Sequence, residues 1–164
     1  MNPDKIIIRK AVEADYEAIN HLYRLSYTLY YENLPAAYKE APANFLKRGD
    51  FLNILEDDKV TMFVAEDDGN VVGHLYAIIE TFDEDEFAPA CTRIDISELS
   101  IEPTYARQGI GTKLMKKAEE WAKEKKITNL ETLVYDFNKD AISFYEANGY
   151  KPYSIKMKKK IEID

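Results

Sequence analysis

The apolar positions of this chain change period several times, and each change marks an element. Lys5 to Arg9 is a short β-rich run, and Glu13 and Asp15 then place negative charge where a helix start favours it. Ile19, Leu22, Tyr23, Ser26 and Tyr30 recur at helical spacing, which predicts a helix to about residue 31. Pro35 and Pro42 break that pattern, and a second helix is expected from Ala43 to Leu55. Thr61 to Glu66 and Val71 to Phe82 read as two strands joined by the turn Asp67-Asp68-Gly69-Asn70, a strong hairpin signal. After an acidic connector, Asp83 to Glu86, a further strand covers about Thr92 to Ile101 and ends at Pro103.

The period then returns to helical near Gly109. Ile110, Leu114, Ala118, Trp121 and Ala122 line one face, with lysines and glutamates opposite. Ile127 to Asp136 reads as a strand, and Asn138 as the N-cap of a short helix that Asn148-Gly149 ends. A last strand is expected from Tyr150 to Ile161. The order β-α-α-β-β-β-α-β-α-β predicts an α/β (α+β) fold, a single mixed sheet with helices on both faces.

Composition narrows what such a fold does. At 164 residues, with 46% hydrophobic and 12% aromatic content, the chain is expected to form one domain, residues 1–164, with a core of its own. Lys plus Arg number 22 and Asp plus Glu 30, a formal net charge of −8, which argues against nucleic acid or an anionic membrane as the main partner. One cysteine, Cys91, excludes an internal disulfide and a cysteine-based metal cluster. His21 and His74 have no metal-ligand spacing, so no metal is expected. His74, inside an apolar strand, reads as structural. With neither a signal peptide nor a run of roughly 20 apolar residues, the protein is expected to be cytoplasmic.

The chemistry concentrates in Gln108-Gly109-Ile110-Gly111-Thr112. Two glycines one residue apart, between a strand and an amphipathic helix, let backbone N–H groups converge on an anion at the helix N-terminus. The dinucleotide pattern fails because Leu114 stands where its third glycine belongs, and no P-loop sequence is present. The wider stretch, IDISELSIEPTYARQGIGTKLM from Ile94 to Met115, resembles the central motif of the GNAT superfamily of acyl-CoA N-acyltransferases. Ile8-Arg9-Lys10-Ala11 with Asp15 and Ile19 is similar to that family's opening strand and helix. Asn138, Ala141, Phe144-Tyr145-Glu146 and Gly149-Tyr150 are similar to its C-terminal motif. The three motifs cover essentially the whole chain. Ala106 departs from the family, which usually has Gln or Arg three residues before the first glycine.

The resemblance implies a GNAT fold with one twisted sheet, acetyl-CoA as cosubstrate, and direct transfer of its acetyl group to a primary amine. Arg107, Gln108, Gly109, Ile110, Gly111 and Thr112 would hold the pyrophosphate, and main-chain groups of Leu99, Ser100 and Ile101 would meet the oxyanion and pantetheine. Asn138 is implied as a pantetheine-side contact. Acetyl transfer needs an unprotonated amine, donors aimed at the oxyanion, and a protonated leaving thiol. Tyr145 stands where the family places a general acid beside the CoA sulfur, and a phenol is protonated at pH 7. Glu98, at the end of the strand before the loop, is the preferred base. Asp95 and a water chain stay open, since strand parity separates Asp95 from Glu98 unless a bulge intervenes. Tyr27, Tyr30, Tyr31, Glu32, Tyr38 and the Asp83–Glu86 run suit a cationic small-molecule or peptide amine. Which amine, and whether the protein is a homodimer, stay open. The competing reading is a non-catalytic acyl-CoA sensor of the same fold.

Overall fold

The computed structural model describes residues 5–161. These form two compact units, one ending at Leu133 and one beginning at Val134. The first holds a five-stranded sheet in the order β1-β2-β3-β4-β5, from β1 (Ile7–Lys10), β2 (Val60–Asp67), β3 (Asn70–Phe82), β4 (Cys91–Ile101) and β5 (Leu130–Glu131). The first four strands are antiparallel neighbours and β4–β5 is parallel, so the sheet is mixed. The hairpin between β2 and β3 turns on Asp68 and Gly69, both at positive φ (46° and 82°), as the sequence predicts.

Three helices flank the sheet: α1 (Tyr16–Asn33), α2 (Arg48–Glu56) and α3 (Ile110–Lys125). Residues 61–65 of β2 are all buried, which a strand achieves only when both faces of the sheet are covered. Met62 and Val64 pack in one cluster with Tyr16, Ile19 and Phe51 of α1 and α2. The opposite parity, Phe63 and Ala65 with Leu75 and Ala77, belongs to the face covered by α3. There α3 buries Ile110, Leu114, Met115, Ala118, Trp121 and Ala122, the predicted stripe with Met115 added. At roughly 1.5–3 kcal/mol for each large side chain, that stripe anchors the helix to the sheet. On the other face Arg9 joins β1 to its neighbours, donating to both carboxylate oxygens of Asp15 (2.7 and 2.9 Å) and to Glu66 (2.7 Å). Among the described residues no helix is long and apolar enough to cross a membrane.

Three expected elements differ from those found. The second helix begins at Arg48 instead of Ala43, because Asn20 takes the backbone of that segment for itself. Its amide donates to the Ala43 carbonyl (2.8 Å) and accepts from the Leu46 N–H (3.0 Å). The strand expected over Ile127 to Asp136 is only Leu130–Glu131. Its beginning is spent closing α3, where Lys126 adopts φ 59° and Ile127 N–H bonds the Ala122 carbonyl. Beyond it, the Thr132 hydroxyl instead of the backbone reaches the Ile96 carbonyl (3.0 Å).

The second unit holds α4 (Lys139–Ala147). Asn138 caps it through a hydrogen bond accepted from Ala141 N–H (3.1 Å), and Gly149 ends it at φ 87°. The strand expected from Tyr150 to Ile161 is not formed. Its alternation of Tyr153, Ile155 and Met157 with Lys156, Lys158 and Lys160 suits a pleated half-buried surface, but a strand needs a ladder to join. Here those apolar side chains are 82–90% exposed.

Candidate active site

The site is built around an irregularity in β4. Tyr76 of β3 pairs with Glu98, and the next residue, Ala77, pairs with Ile96, so Ser97 is an extra residue in β4. This bulge restores the parity that simple alternation would break. Asp95 pairs with Ile78, Glu98 with Tyr76 and Ser100 with His74, so Asp95, Glu98 and Ser100 all lie on the α1 face. The two carboxylates are not equivalent. Asp95 accepts a 2.5 Å hydrogen bond from the Ser97 hydroxyl, whereas Glu98 lies beneath α1. Burial pushes the Glu98 carboxyl up to about 7, and the Ser26 hydroxyl opposes part of that rise.

Around Glu98 stand residues that lie far apart in sequence. Tyr23 of α1 and Tyr76 of β3 are both pushed above the usual phenol range. Burial is the main cause for each, and the charge of Glu98 contributes at Tyr23. The Tyr23 ring packs on His74 at 4.6 Å between centroids. His74 is fully buried, both ring nitrogens lack a hydrogen-bond partner, and burial lowers it to about 3, so it is neutral. The only sequence signal for this group was the serine embedded in the apolar stripe of the first helix. Tyr27, Tyr30 and Tyr38, read as amine-facing, pack on one another and on Phe45, with centroids 4.5–5.4 Å apart. Tyr31 is 38% exposed.

The other edge of β4 loses its partner. The β4–β5 ladder ends at Asp95–Glu131. Ile94 N–H points to that side, bonding the Asn129 carbonyl, while Glu102 N–H points to the β3 side, bonding Val72. Counting through the bulge, Leu99 and Ile101 turn their main-chain groups toward the side β5 has left, and Ser100 turns its own toward β3. The Ser100 hydroxyl is spent on the Leu22 carbonyl (3.0 Å).

Past β4, a short turn at Pro103–Tyr105 leads into the predicted loop. Arg107 and Gly109 adopt left-handed conformations, φ 59° and 77°. Gly109 is the N-cap of α3 and brings no side chain to accept from the first N–H groups of the helix. A Cβ built on Gly109 would meet nothing within 4 Å, which leaves the approach to these donors open. The Gln108 side chain turns back to the Thr104 carbonyl (3.2 Å). These features fit a phosphate-bearing cosubstrate: backbone donors, an open glycine, and Arg107 and Lys113 in the same segment. In the second unit, Tyr145 of α4 packs against Phe144 and Tyr150, with centroids at 5.2 and 5.3 Å.

The chain matches the acetyltransferase (GNAT) family over residues 16–150. It is 39% identical over 56 residues to a thialysine N-epsilon-acetyltransferase of Bos taurus, covering 34% of this chain and 33% of the relative. It is 32% identical over 101 residues to an uncharacterized N-acetyltransferase of Methanocaldococcus jannaschii, covering 60% and 42%. The alignments thus span between a third and a half of the curated relatives. Among solved structures, a tetramutant of the BH1408 protein from Bacillus halodurans is similar with TM-score 0.89 at 20% identity, covering 94% of this chain and 99% of that one. The aminoglycoside N-acetyltransferase AAC(6')-Iy, solved in complex with CoA, is similar with TM-score 0.73 at 16% identity, covering 96% and 95%.

Proposed function

Because the chain belongs to the acetyltransferase (GNAT) family, we propose that it is an N-acetyltransferase using acetyl-CoA and a cationic primary amine. The observation that carries this reading is Glu98, a carboxyl brought onto the α1 face by the bulge and pushed to about 7 by burial. An alkylammonium, with a pKa near 10, must lose a proton before its nitrogen can attack. A carboxylate that titrates near neutrality is a stronger base than an exposed one and is still largely ionised above pH 7. Asp95, already engaged by Ser97, suits that role less well.

Bound acetyl-CoA would supply the acetyl thioester. The N-terminus of α3 with Arg107, Gly109 and Gly111 would hold its pyrophosphate, and the outward main-chain groups of Leu99 and Ile101 its pantetheine. Glu98 would take the proton from the amine at a carboxylate oxygen. The Tyr145 phenol, at the family's acid position, would give its proton to the departing sulfur. Asn138 spends its side-chain oxygen on the cap of α4, which leaves its amide N–H donors for the cosubstrate. A cationic acceptor is supported by the acidic chain and by relatives named for thialysine and aminoglycosides, both amines. The exposed single cysteine suits a reducing compartment, and we place the reaction in the cytoplasm.

The test is acetyl-CoA turnover over a panel of amines, read by free-thiol release, with Glu98→Gln alongside. Wild-type activity should fall as pH drops below about 7. Glu98→Gln should lose roughly 10²–10⁴-fold in kcat at neutral pH and recover as pH approaches that of the free amine. No turnover with any amine, while CoA still binds, would favour the sensor reading. A deficit uniform across pH would remove Glu98 from the proton path.

A further inference from the structure

The first helix runs along β4 in the opposite sense, and two contacts fix that alignment. His21 Nε2 lies 2.7 Å from Glu102 Oε1, just past the end of β4. One residue further along α1, the Leu22 carbonyl accepts from the Ser100 hydroxyl. A further turn along, about 6 Å of helix rise, comes Ser26. The matching step back along β4 is two residues, about 6.6 Å, from Ser100 to Glu98. Ser26 and Glu98 are therefore brought face to face by the same alignment that pairs His21 with Glu102 and Leu22 with Ser100. The Ser26 hydroxyl faces the Glu98 carboxyl there and favours its ionised form. The bulge at Ser97 is essential to this meeting, because regular alternation through Ser97 would turn Glu98 toward α3.

We propose that Ser26 is the positioning residue of the proton-accepting carboxylate, its hydroxyl holding one oxygen of Glu98 so that the other faces the acceptor amine. This rests on the reading of Glu98 as the base. The need is physical. A carboxylate buried beneath a helix prefers to be protonated, and a protonated carboxyl accepts nothing from an ammonium. A hydroxyl donor stabilises the charged form without adding a charge that would repel a cationic acceptor. The other titratable groups facing Glu98 cannot do this by titrating. Tyr23 on α1 and Tyr76 on β3 are both raised, hence neutral through the working pH range, and His74 beneath Tyr23 is neutral as well. Asp95 lies on the same strand and face, its carboxylate accepting from the Ser97 hydroxyl.

Ser26→Ala tests this, because alanine is the better helix former and leaves α1 intact. Loss of one hydrogen bond to the ionised form should move the acid limb of the kcat/KM profile up by about one pH unit. The rate at pH 6 should then fall roughly tenfold, while the rate near pH 9 and the CoA affinity stay at wild-type values. Ser26→Thr, which keeps the hydroxyl, should restore the limb. A carboxylate carbon-13 titration of Glu98 in the resting protein should show the same upward shift without any turnover. If Glu98→Gln is slow, yet Ser26→Ala leaves both the limb and the titration midpoint in place, the Ser26 inference alone is overturned. If Glu98→Gln turns over at the wild-type rate at every pH, the base assignment fails and Ser26 loses its role with it.

Discussion

Two ionisable side chains on the α1 face, Glu98 half-buried and His74 fully buried, pull the stability of this protein in opposite directions with pH. Glu98 rises from an ordinary 4.5 to about 7 on folding. Its contribution is therefore favourable below pH 4.5 and is lost as pH climbs through 7, on the order of 3 kcal/mol at most. His74 falls from 6.5 to about 3, so its contribution is present above pH 6.5 and is lost as pH drops toward 3. Glu98→Gln should thus raise Tm at pH 8 and change it little at pH 4. His74→Leu should cost little at pH 7, because both ring nitrogens are already unpartnered, and should push acid unfolding to lower pH. Thermal melts of both variants from pH 4 to 8 check this. Parallel stability curves for wild type and variants would mean that neither group is desolvated as described. Glu98 as a candidate was legible from its place before the glycine loop. Its neighbours Tyr23, Ser26 and Tyr76 were not, because they come from separate stretches of sequence that only the lie of α1 along β4 brings together.

Elements with their own local logic were the readable ones. The Asp68-Gly69 turn, the α3 stripe and the Asn138 cap each follow from residues adjacent in sequence. Where a distant group intervened, the reading failed: Asn20 captured the start of the second helix, and the two-residue β5 could not be foreseen from an apolar run. The Tyr150–Ile161 alternation shows the same limit, since periodicity proves competence to form a strand and says nothing of a partner. The bulge at Ser97 is the most consequential element, because it bends β4 near the point where β5 leaves it. Deleting Ser97 should keep every side chain of β4 on its present face, since the extra residue is the one removed. The protein should fold with unchanged helix content by circular dichroism but bind CoA more weakly by calorimetry, as a straighter β4 stays closer to its neighbour. Wild-type CoA affinity in the folded deletion would mean that the parting of β4 and β5 does not depend on the bulge.

For the protein in its entirety, charge would separate the two proposed substrates. A formal net charge of −8 draws a cationic amine toward the surface and opposes an anionic cosubstrate at long range. The anion would then depend on short-range donors, the N–H groups at the start of α3 with Arg107 in the loop and Lys113 in α3, which act within a few ångströms. The proposed amine would be gathered by the summed field, and its proposed target Glu98 is half-buried under α1. Salt acts mainly on the long-range part, because the Debye length shrinks from about 30 Å at 0.01 M to about 8 Å at 0.15 M. Raising ionic strength from 10 to 300 mM should therefore lower kcat/KM for a diamine or triamine acceptor, and more steeply for the triamine. The same titration with a neutral-bodied monoamine should show a shallower slope, and direct CoA binding should change least of all. An acceptor kcat/KM that is flat with salt, or that rises for the more highly charged amine, would show that the acidic surface plays no part in gathering the amine and that recognition rests wholly on contacts inside the site.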